Sequence, residues 1–276
     1  MDNMDTTEKR KNRVTIKDVA KAADVSIATV SYVLNNTPGQ SISDETRKKV
    51  VQFANLLGYE CNVMARYLAT GKSNTVSALV KDFSPFASQY YVNFLAELSR
   101  LLWQKNFGLK IVEYSDGFKR NNDCDAYITL SLPENEFRAF ADTKLIPVVA
   151  VDSAFEDFLF YRINDNFVQL YDSAKAELGA NEITLLTYTL PPEVLAAAKA
   201  AFDDIKVVEC ASDVTSLDPN KYYATVSSAL RDNAPSGARI MLREQSYALK
   251  ASAAADAIFR AIDRVKNTSE EHDIKI

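Results

Sequence analysis

The sequence lacks any apolar run approaching the roughly 18 residues that a membrane-spanning helix needs. Its N-terminus, MDNMDTTEKRKNR, has no apolar core of the kind that a secretory signal peptide carries. The three cysteines, Cys61, Cys124 and Cys210, are far apart and odd in number. This pattern favours a reduced protein over a disulfide framework or a zinc site. We therefore expect a cytoplasmic protein with no membrane partner.

Histidine, a common catalytic residue, is also scarce. The single histidine, His272, lies near the C-terminus, which excludes a histidine-based triad. The sequence GKS, ending at Ser73, resembles the end of a phosphate-binding loop, but the glycine required five residues before its own glycine is Arg66. The carboxylates in NDCD (Asp123 and Asp125) could hold a metal ion, although a solvated turn is the more common reading. We predict no enzyme activity, no cofactor and no metal site.

What the chain does contain is an ordinary globular composition with an uneven charge. Its 276 residues exceed a typical single domain, and 47% of them are hydrophobic and 25% charged. The first 72 residues carry eleven basic and eight acidic side chains, a charge of +3, which leaves −8 on the remainder of a chain whose total is −5. Only the N-terminal region is therefore expected to meet a polyanion.

The first sixty residues predict three short helices. Thr15 begins the first, with Asp18 completing a capping-box pattern. Ser26 begins the second after a tight connection, and Ser43 begins a third that ends at Gly58. Two short helices across a tight turn, supported by a third, form a helix-turn-helix.

The second helix carries apolar residues where they are not expected. In the stretch DVSIATVSYVL, Val30 and Val33 can face a core, whereas Ile27 and Ala28 lie in the first turn, off that face. A soluble helix normally shows polar residues there. Either these side chains meet a partner that is not water, or Ile27 packs on the rest of this protein.

From Thr75 onward the pattern changes to apolar strands that alternate with amphipathic helices. This alternation predicts an α/β domain with parallel sheets. The predicted strands are TVSALV, LKIVEY, AYITLS, IPVVAV, EITLLTY and IKVVEC, and the predicted helices cover residues 90–106, 134–141, 167–178, 193–202 and 247–266. The last ten residues, NTSEEHDIKI, are expected to form a frayed tail.

The N-terminal region resembles one known family. The run VTIKDVAKAADVSIATVSYVLN, followed by ETRKKV and by LGYECNVMARYLATG, is similar to the LacI-type (lactose repressor) family of bacterial transcription regulators. The resemblance is specific to about Phe86 and thinner beyond. It implies that the second helix lies in the major groove of DNA, with Ile27, Ala28 and Tyr32 facing base edges. It also implies phosphate contacts from five residues, which are Thr15, Ser26, Thr29, Ser31 and Asn35.

The same resemblance implies a hinge helix at Asn62–Thr70. Leu68 matches the leucine that wedges between base steps in the minor groove, and Arg66 lies close to it. The family usually has a proline just before this asparagine, where this chain has Cys61. The alternative is that Leu68 packs on the core of the protein.

For the remaining chain, the resemblance implies a two-lobed body like that of a periplasmic binding protein. A sugar-like or nucleoside-like effector would lie in the cleft between the lobes. The candidate cleft residues are Asp82, Phe83, Phe86, Asp152 and Asp165. The chain departs from the family pattern, because Ala198 stands at an arginine position, the second lobe is short, and Ser115–Asp125 leaves room only for a loop where a helix is usual.

The sequence therefore predicts an all-α helix-turn-helix head and hinge helix joined to an α/β two-lobed core. The predicted boundaries are 1–12 for a disordered arm, 13–60 for the head, 61–72 for the hinge, 73–265 for the core and 266–276 for a flexible tail. The predicted function, which follows from the same resemblance, is that of a homodimeric regulator, a repressor, that binds a pseudo-palindromic double-stranded DNA operator. Two alternatives stay open: a DNA-binding dimer whose core binds no effector, and a ligand-binding or enzymatic body with an incidental head.

Overall fold

The computed structural model describes residues 14–35, 39–59, 72–81, 84–115, 124–264 and 272–276. The chain divides into two compact units, Met1–Gly71 and Lys72–Ile276, called here the head and the core. The predicted N-terminal arm and nearly all of the predicted hinge, including Arg66 and Leu68, lie outside the described residues. Asp82 and Phe83 do so as well.

The head is formed by three helices, α1 (Ile16–Ala23), α2 (Ile27–Leu34) and α3 (Asp44–Leu57). α1 ends at Asp24, whose backbone is left-handed with φ 54°, a conformation that aspartate adopts more readily than most residues. This turn reverses the chain directly into α2. The three helices enclose a small apolar core made of Val19, Ala20, Ala23, Val30, Val33, Val50 and Ala54. The predicted helix-turn-helix is therefore present.

The first lobe of the core is a six-stranded sheet in the order β10-β5-β4-β3-β1-β2, with every neighbouring pair parallel. Its strands are β1 (Thr75–Val80), β2 (Gly108–Glu113), β3 (Ala126–Leu130), β4 (Val148–Val151), β5 (Tyr161–Asn164) and β10 (Asp273–Lys275). Its helices are α4 (Pro85–Gln104), α5 (Glu134–Ala141) and α10 (Ser246–Ile262). The chain leaves this lobe after β5 and returns to it through α10, which packs on α4, β4 and β5.

The second lobe is a four-stranded parallel sheet in the order β7-β6-β8-β9. Its strands are β6 (Thr184–Tyr188), β7 (Asp204–Val208), β8 (Tyr222–Thr225) and β9 (Arg239–Leu242). Its helices are α6 (Phe167–Leu178), α7 (Pro192–Lys199), α8 (Ala211–Thr215) and α9 (Ser228–Asp232). The predicted α/β core with parallel sheets is therefore confirmed.

The C-terminal segment differs from the flexible tail predicted for residues 266–276. Asp273–Lys275 forms strand β10, which pairs in parallel with β5 at the edge of the first sheet. Ile274 and Ile276 pack against the core, and the Ile276 N–H donates to the Asn164 carbonyl at 2.9 Å. The alternation of polar and apolar residues in HDIKI is typical of a strand, but its charged residues also fit an exposed tail.

Helix α4 begins five residues earlier than predicted. Ser84 accepts a hydrogen bond from the Ala87 N–H at 3.4 Å, and Pro85 occupies the first helical position, where its missing N–H has no cost. Phe86 therefore lies in the first turn of a helix and is buried.

Asp125, considered above as a metal ligand, has a structural role. Its two carboxylate oxygens accept hydrogen bonds from the Ser73 and Asn74 N–H groups at 2.8 and 2.7 Å, which holds the chain at the start of β1. Asp123 and most of the predicted 115–125 loop lie outside the described residues. Within the described ranges, no group of side chains is arranged to hold a metal ion, and no helix is long and apolar enough to cross a membrane.

Candidate nucleic-acid interface and core cleft

Helix α2 presents an apolar and aromatic surface away from the core of the head. Val30 and Val33 are buried, whereas Ile27 is 45% and Tyr32 38% exposed. Ala28 is exposed as well, so all three predicted base readers lie on the solvent-facing side. Ile27 therefore does not belong to the buried core of the head. An apolar first turn facing outward is suited to contact with apolar groups of a partner, such as thymine methyls.

The N-terminus of α2 is fixed by Ser26. The Thr29 N–H donates to the Ser26 hydroxyl oxygen at 3.0 Å, and the two hydroxyl oxygens lie 2.9 Å apart. Capping of this kind typically contributes ~1 kcal/mol to helix stability. The first turn of α2 also carries the positive end of the helix dipole, which favours an anion.

The predicted phosphate contacts lie at helix ends. Ser31 and Asn35 are joined at the end of α2, where the Asn35 amide donates to the Ser31 hydroxyl at 3.2 Å. Thr15 precedes α1, and its N–H and hydroxyl both donate to the Asp18 carboxylate, at 2.8 and 2.7 Å. These two bonds lower the pKa of the Asp18 carboxyl. The Thr15 hydroxyl proton is therefore already used within the head, and a phosphate would have to compete for it.

In the core, Asp152 and Asp165 lie together, as their assignment to one cleft requires. Asp152 follows β4 and Asp165 follows β5, and the carboxyl ends of neighbouring parallel strands meet at one edge of a sheet. Both carboxylates are buried. The Lys250 ammonium from α10 lies 2.5 Å from Asp152 Oδ1 and 2.7 Å from Asp165 Oδ2.

Hydroxyl groups complete this arrangement. The Tyr91 hydroxyl donates to Asp152 Oδ2 at 2.8 Å, and Ser246 donates to Asp165 Oδ1 at 3.1 Å. The Tyr90 hydroxyl lies 3.2 Å from Ser246 Oγ, and its ring faces the Lys250 ammonium at 5.4 Å. These six residues, called here the Lys250 network, are Lys250, Asp152, Asp165, Ser246, Tyr90 and Tyr91.

The network also touches the second lobe. Tyr188, at the end of β6, packs against Tyr90 and Tyr91, with ring centroids 5.6 and 6.0 Å away. Burial disfavours the charge of Lys250, but the two carboxylates outweigh it and hold the pKa of Lys250 well above its usual value. Burial raises the pKa of Tyr91 and Tyr188, so both hydroxyls stay protonated. The network thus contains one buried cation facing two buried carboxylates.

Sequence reasoning did not identify Lys250, although a signal was present. Lys250 stands between Ser246 and Ala254 at helical spacing, on the face of α10 that the structure buries. A lysine on an otherwise small and apolar helix face needs a buried counter-ion, because an unpaired buried charge is strongly unfavourable.

An open pocket of about 440 Å³ borders the network at Asp165. Phe155, Phe167 and Val194 supply its apolar walls, and Asn164 lies at its polar side. Among the described residues assigned to the effector cleft, which are Phe86, Asp152 and Asp165, only Asp165 lines this pocket, and its carboxylate oxygens already accept hydrogen bonds from Ser246 and Lys250.

Comparison with known proteins shows which family the head is similar to. Residues 15–62 match the family described as bacterial regulatory proteins, lacI family. Catabolite control protein A of Priestia megaterium is 45% identical over 87 residues, which cover 32% of this chain and 24% of that protein. The transcriptional regulator MalR of Streptococcus pneumoniae is 33% identical over 170 residues, 60% of this chain and 51% of MalR. The chain thus spans about half or less of the length of these curated relatives.

A solved structure extends the likeness to both units. The crystal structure of the lac repressor dimer bound to operator and an anti-inducer matches with a TM-score of 0.66 and 16% identity, covering 96% of each chain. At this identity the likeness concerns the fold. MalR is a transcriptional regulator, which agrees with the function class predicted from the sequence.

Proposed function

We propose a function on the premise that this chain belongs to the lacI family of bacterial regulatory proteins. It is a sequence-specific DNA-binding transcriptional regulator, a repressor that acts in the bacterial cytoplasm as a homodimer on a pseudo-palindromic operator. The observation that carries this proposal is the outward-facing first turn of α2, with Ile27, Ala28 and Tyr32 exposed beside the Ser26 cap. In a helix-turn-helix this turn enters the major groove.

Selection of bound sites from random DNA tests the proposal directly. Because phosphate contacts make affinity strongly salt-dependent, the selection is run at one fixed salt concentration. We expect a two-fold symmetric site whose half-sites carry thymines opposite α2, since Ile27 and Ala28 offer methyl contacts but no hydrogen bonds. Recovery of no enriched sequence by the full chain would contradict the proposed function.

Ile27→Ala is expected to relax the base preference at one position of each half-site. The loss should amount to ~1–2 kcal/mol per half-site, from the ~0.8 kcal/mol that each buried CH₂ contributes. Competition binding on the selected operator and its single-base variants measures it. Val51→Ala is the matched control, because Val51 is similarly exposed but lies on α3. An unchanged preference in Ile27→Ala would show that this residue does not read bases.

The hinge supplies a second prediction, although it lies outside the described residues. A leucine wedge unstacks a base step and kinks the duplex, so Leu68→Ala should weaken operator binding by about 10–100-fold and reduce DNA bending. Gel-shift assays with circularly permuted operator fragments measure both. Leu145→Ala, at an exposed leucine of the core, is the control. Wild-type bending by Leu68→Ala would support the alternative in which Leu68 packs on the protein.

The homodimer is proposed to form through one edge of the first lobe. Val92 and Trp103 project from α4, and Ile111 projects from β2, the edge strand of the six-stranded sheet. Each of these three side chains, called here the edge strip, is more than half exposed. Leu109 packs on the α4 side of the sheet, so strand alternation puts Ile111 on that same side. Exposed apolar groups grouped in this way are typical of a protein–protein interface.

Two hypotheses describe how DNA binding by this regulator is controlled. In the first, an effector binds in the cleft; in the second, the core binds no effector. The Lys250 network favours the second hypothesis, because the two carboxylates assigned to the effector already have a cation. In this hypothesis the core serves as the dimerisation scaffold, and DNA binding is constitutive or depends on another protein.

A further inference from the structure

We propose that the edge of the first sheet where β4 and β5 end is a primary-ammonium binding site, and that its resident ligand is the side chain of Lys250. The lysine acts as an internal, covalently attached ligand in the place assigned above to an effector. This inference rests on the proposed function for its biological meaning, but its chemistry stands on the core alone.

The geometry is that of a site built for one ammonium group. Such a group offers three donors and no acceptor. Two of its donors go to Asp152 and Asp165, which follow two different strands, at 2.5 and 2.7 Å. The Tyr90 ring covers the cation at 5.4 Å, a distance typical of cation–π contacts.

The same geometry is unsuited to an uncharged polyol. Each carboxylate is also bound by a hydroxyl of the protein, Tyr91 on Asp152 and Ser246 on Asp165. A sugar would need to displace Lys250, and its hydroxyls cannot neutralise two buried carboxylates. The ligand class of this site is therefore a primary alkylammonium.

The position of Lys250 in the chain gives the contact a function. Lys250 stands on α10, the helix through which the chain returns to the first lobe after completing the second. Its partners Asp152 and Asp165 follow β4 and β5, and Tyr90 lies on α4. Tyr188 of the second lobe packs against Tyr90 and Tyr91. An internal ligand is always at saturating effective concentration. The core therefore keeps its occupied arrangement without a small molecule.

The experiment removes the internal ligand and supplies a free one. Lys250→Ala in the full chain deletes the three methylenes and the ammonium that n-propylammonium reproduces. We expect 100 mM n-propylammonium to raise the Tm of Lys250→Ala by roughly 5–10 °C, with saturation, which corresponds to a Kd near 1 mM. The wild type should not respond, because its site is filled. n-Propanol and tetramethylammonium, which lack either the charge or the N–H donors, should leave the Tm of the variant unchanged.

Three results would overturn the proposal. The first is the absence of any n-propylammonium-specific shift in Lys250→Ala. The second is an equal shift with n-propanol or in the wild type. The third is a saturable stabilisation of the wild type by members of a sugar and nucleoside panel that Lys250→Ala abolishes. If Lys250→Ala does not fold, Lys250→Ala/Asp165→Asn, which retains one carboxylate, is tested with the same amines and should show a smaller shift of the same specificity.

Operator binding separates this proposal from the proposed function. Titration of the selected operator with Lys250→Ala, with and without n-propylammonium, reports whether site occupancy matters for DNA affinity. If the wild type selects no DNA but the amine still stabilises Lys250→Ala, the internal-ligand proposal stands and the regulator proposal fails. If the wild type selects DNA but no amine stabilises Lys250→Ala, the regulator proposal stands and the internal-ligand proposal fails.

Discussion

Lys250→Met is expected to lower the free energy of unfolding of the core by about 3–5 kcal/mol, the usual effect of removing one partner from a buried ion pair. Methionine keeps most of the volume of the lysine, so the loss comes from charge rather than from a cavity. Asp152 and Asp165 would remain buried and charged, with only Tyr91 and Ser246 as donors. Urea unfolding followed by circular dichroism measures the change.

The effect should depend on pH in a defined direction. In the wild type the pKa of Lys250 is raised, so its contribution is complete below the unfolded lysine value of about 10.4 and is lost only at still higher pH. In Lys250→Met, Asp152 loses its cation, and burial, which already raises the pKa of this carboxyl beside Lys250, is no longer opposed by a positive charge. The destabilisation caused by the buried Asp152 charge is then complete at neutral pH and is relieved as pH falls through the raised pKa. Tyr90, Tyr91 and Tyr188 also face the site, and their hydroxyls stay neutral because burial raises their pKa.

Two further variants complete this test. Lys250→Met/Asp152→Asn/Asp165→Asn removes all three charges and should regain most of the lost stability, since neutral replacement of a buried ion network is often close to neutral in free energy. Lys199→Met, at an exposed lysine of α7, is the matched control and should change stability by less than ~0.5 kcal/mol. A Lys250→Met variant as stable as the wild type would mean that the network is not ionised.

The head could be predicted from sequence because its signals are local. Thr15, Ser26 and Ser43 stand immediately before the helices they begin, and Gly58 follows the last helix in the left-handed conformation. Each signal acts within four residues of the backbone groups it satisfies. The position of Ile27 outside the core also followed from helical spacing alone, since a 100° step per residue separates it from the Val30–Val33 face.

The core could be predicted in part. Helices α5 and α6 lie where expected, and strands β1 and β3 begin where expected, because their apolar patterns are continuous. Strands β5, β8 and β9 were missed. Each has only four residues, and β5 contains Arg162 and Asn164, which are buried and donate side-chain hydrogen bonds to the Phe155 and Ser153 carbonyls. Such short strands are stabilised mainly by pairing with neighbouring strands of the parallel sheet. Their own sequence therefore gives little indication of strand structure.

The candidate cleft shows a similar limit. Asp152 and Asp165 were identified by resemblance to a family, and the fold brings them together. Their partner lies 98 and 85 residues further along the chain, on a helix whose pattern suggested only packing. No local rule connects residues at that separation. The chemistry of the cleft could therefore be interpreted only after the return of α10 to the first lobe was known.

Trp103→Glu is expected to dissociate the dimer and, as a result, to weaken operator binding by about 100-fold or more. Large aromatic residues at the centre of an interface typically contribute ~2–4 kcal/mol each, and a buried unpaired carboxylate adds a further penalty. A monomer contacts one half-site, so it loses the second set of phosphate and base contacts that a two-fold dimer makes. Sedimentation equilibrium and operator titration at the same salt concentration measure the two effects.

The controls are exposed apolar residues at other positions in the core. Val168→Glu on α6 is the matched control, because Val168 is as exposed as the residues of the edge strip but lies in the second lobe. Ile111→Lys, on the other element of the edge strip, should dissociate the dimer as Trp103→Glu does. A dimerising coiled coil added to Trp103→Glu should restore operator affinity, because the head itself is unchanged. A Trp103→Glu protein that stays dimeric would exclude the edge strip as the interface, whereas loss of the dimer in Val168→Glu alone would move the interface to the second lobe.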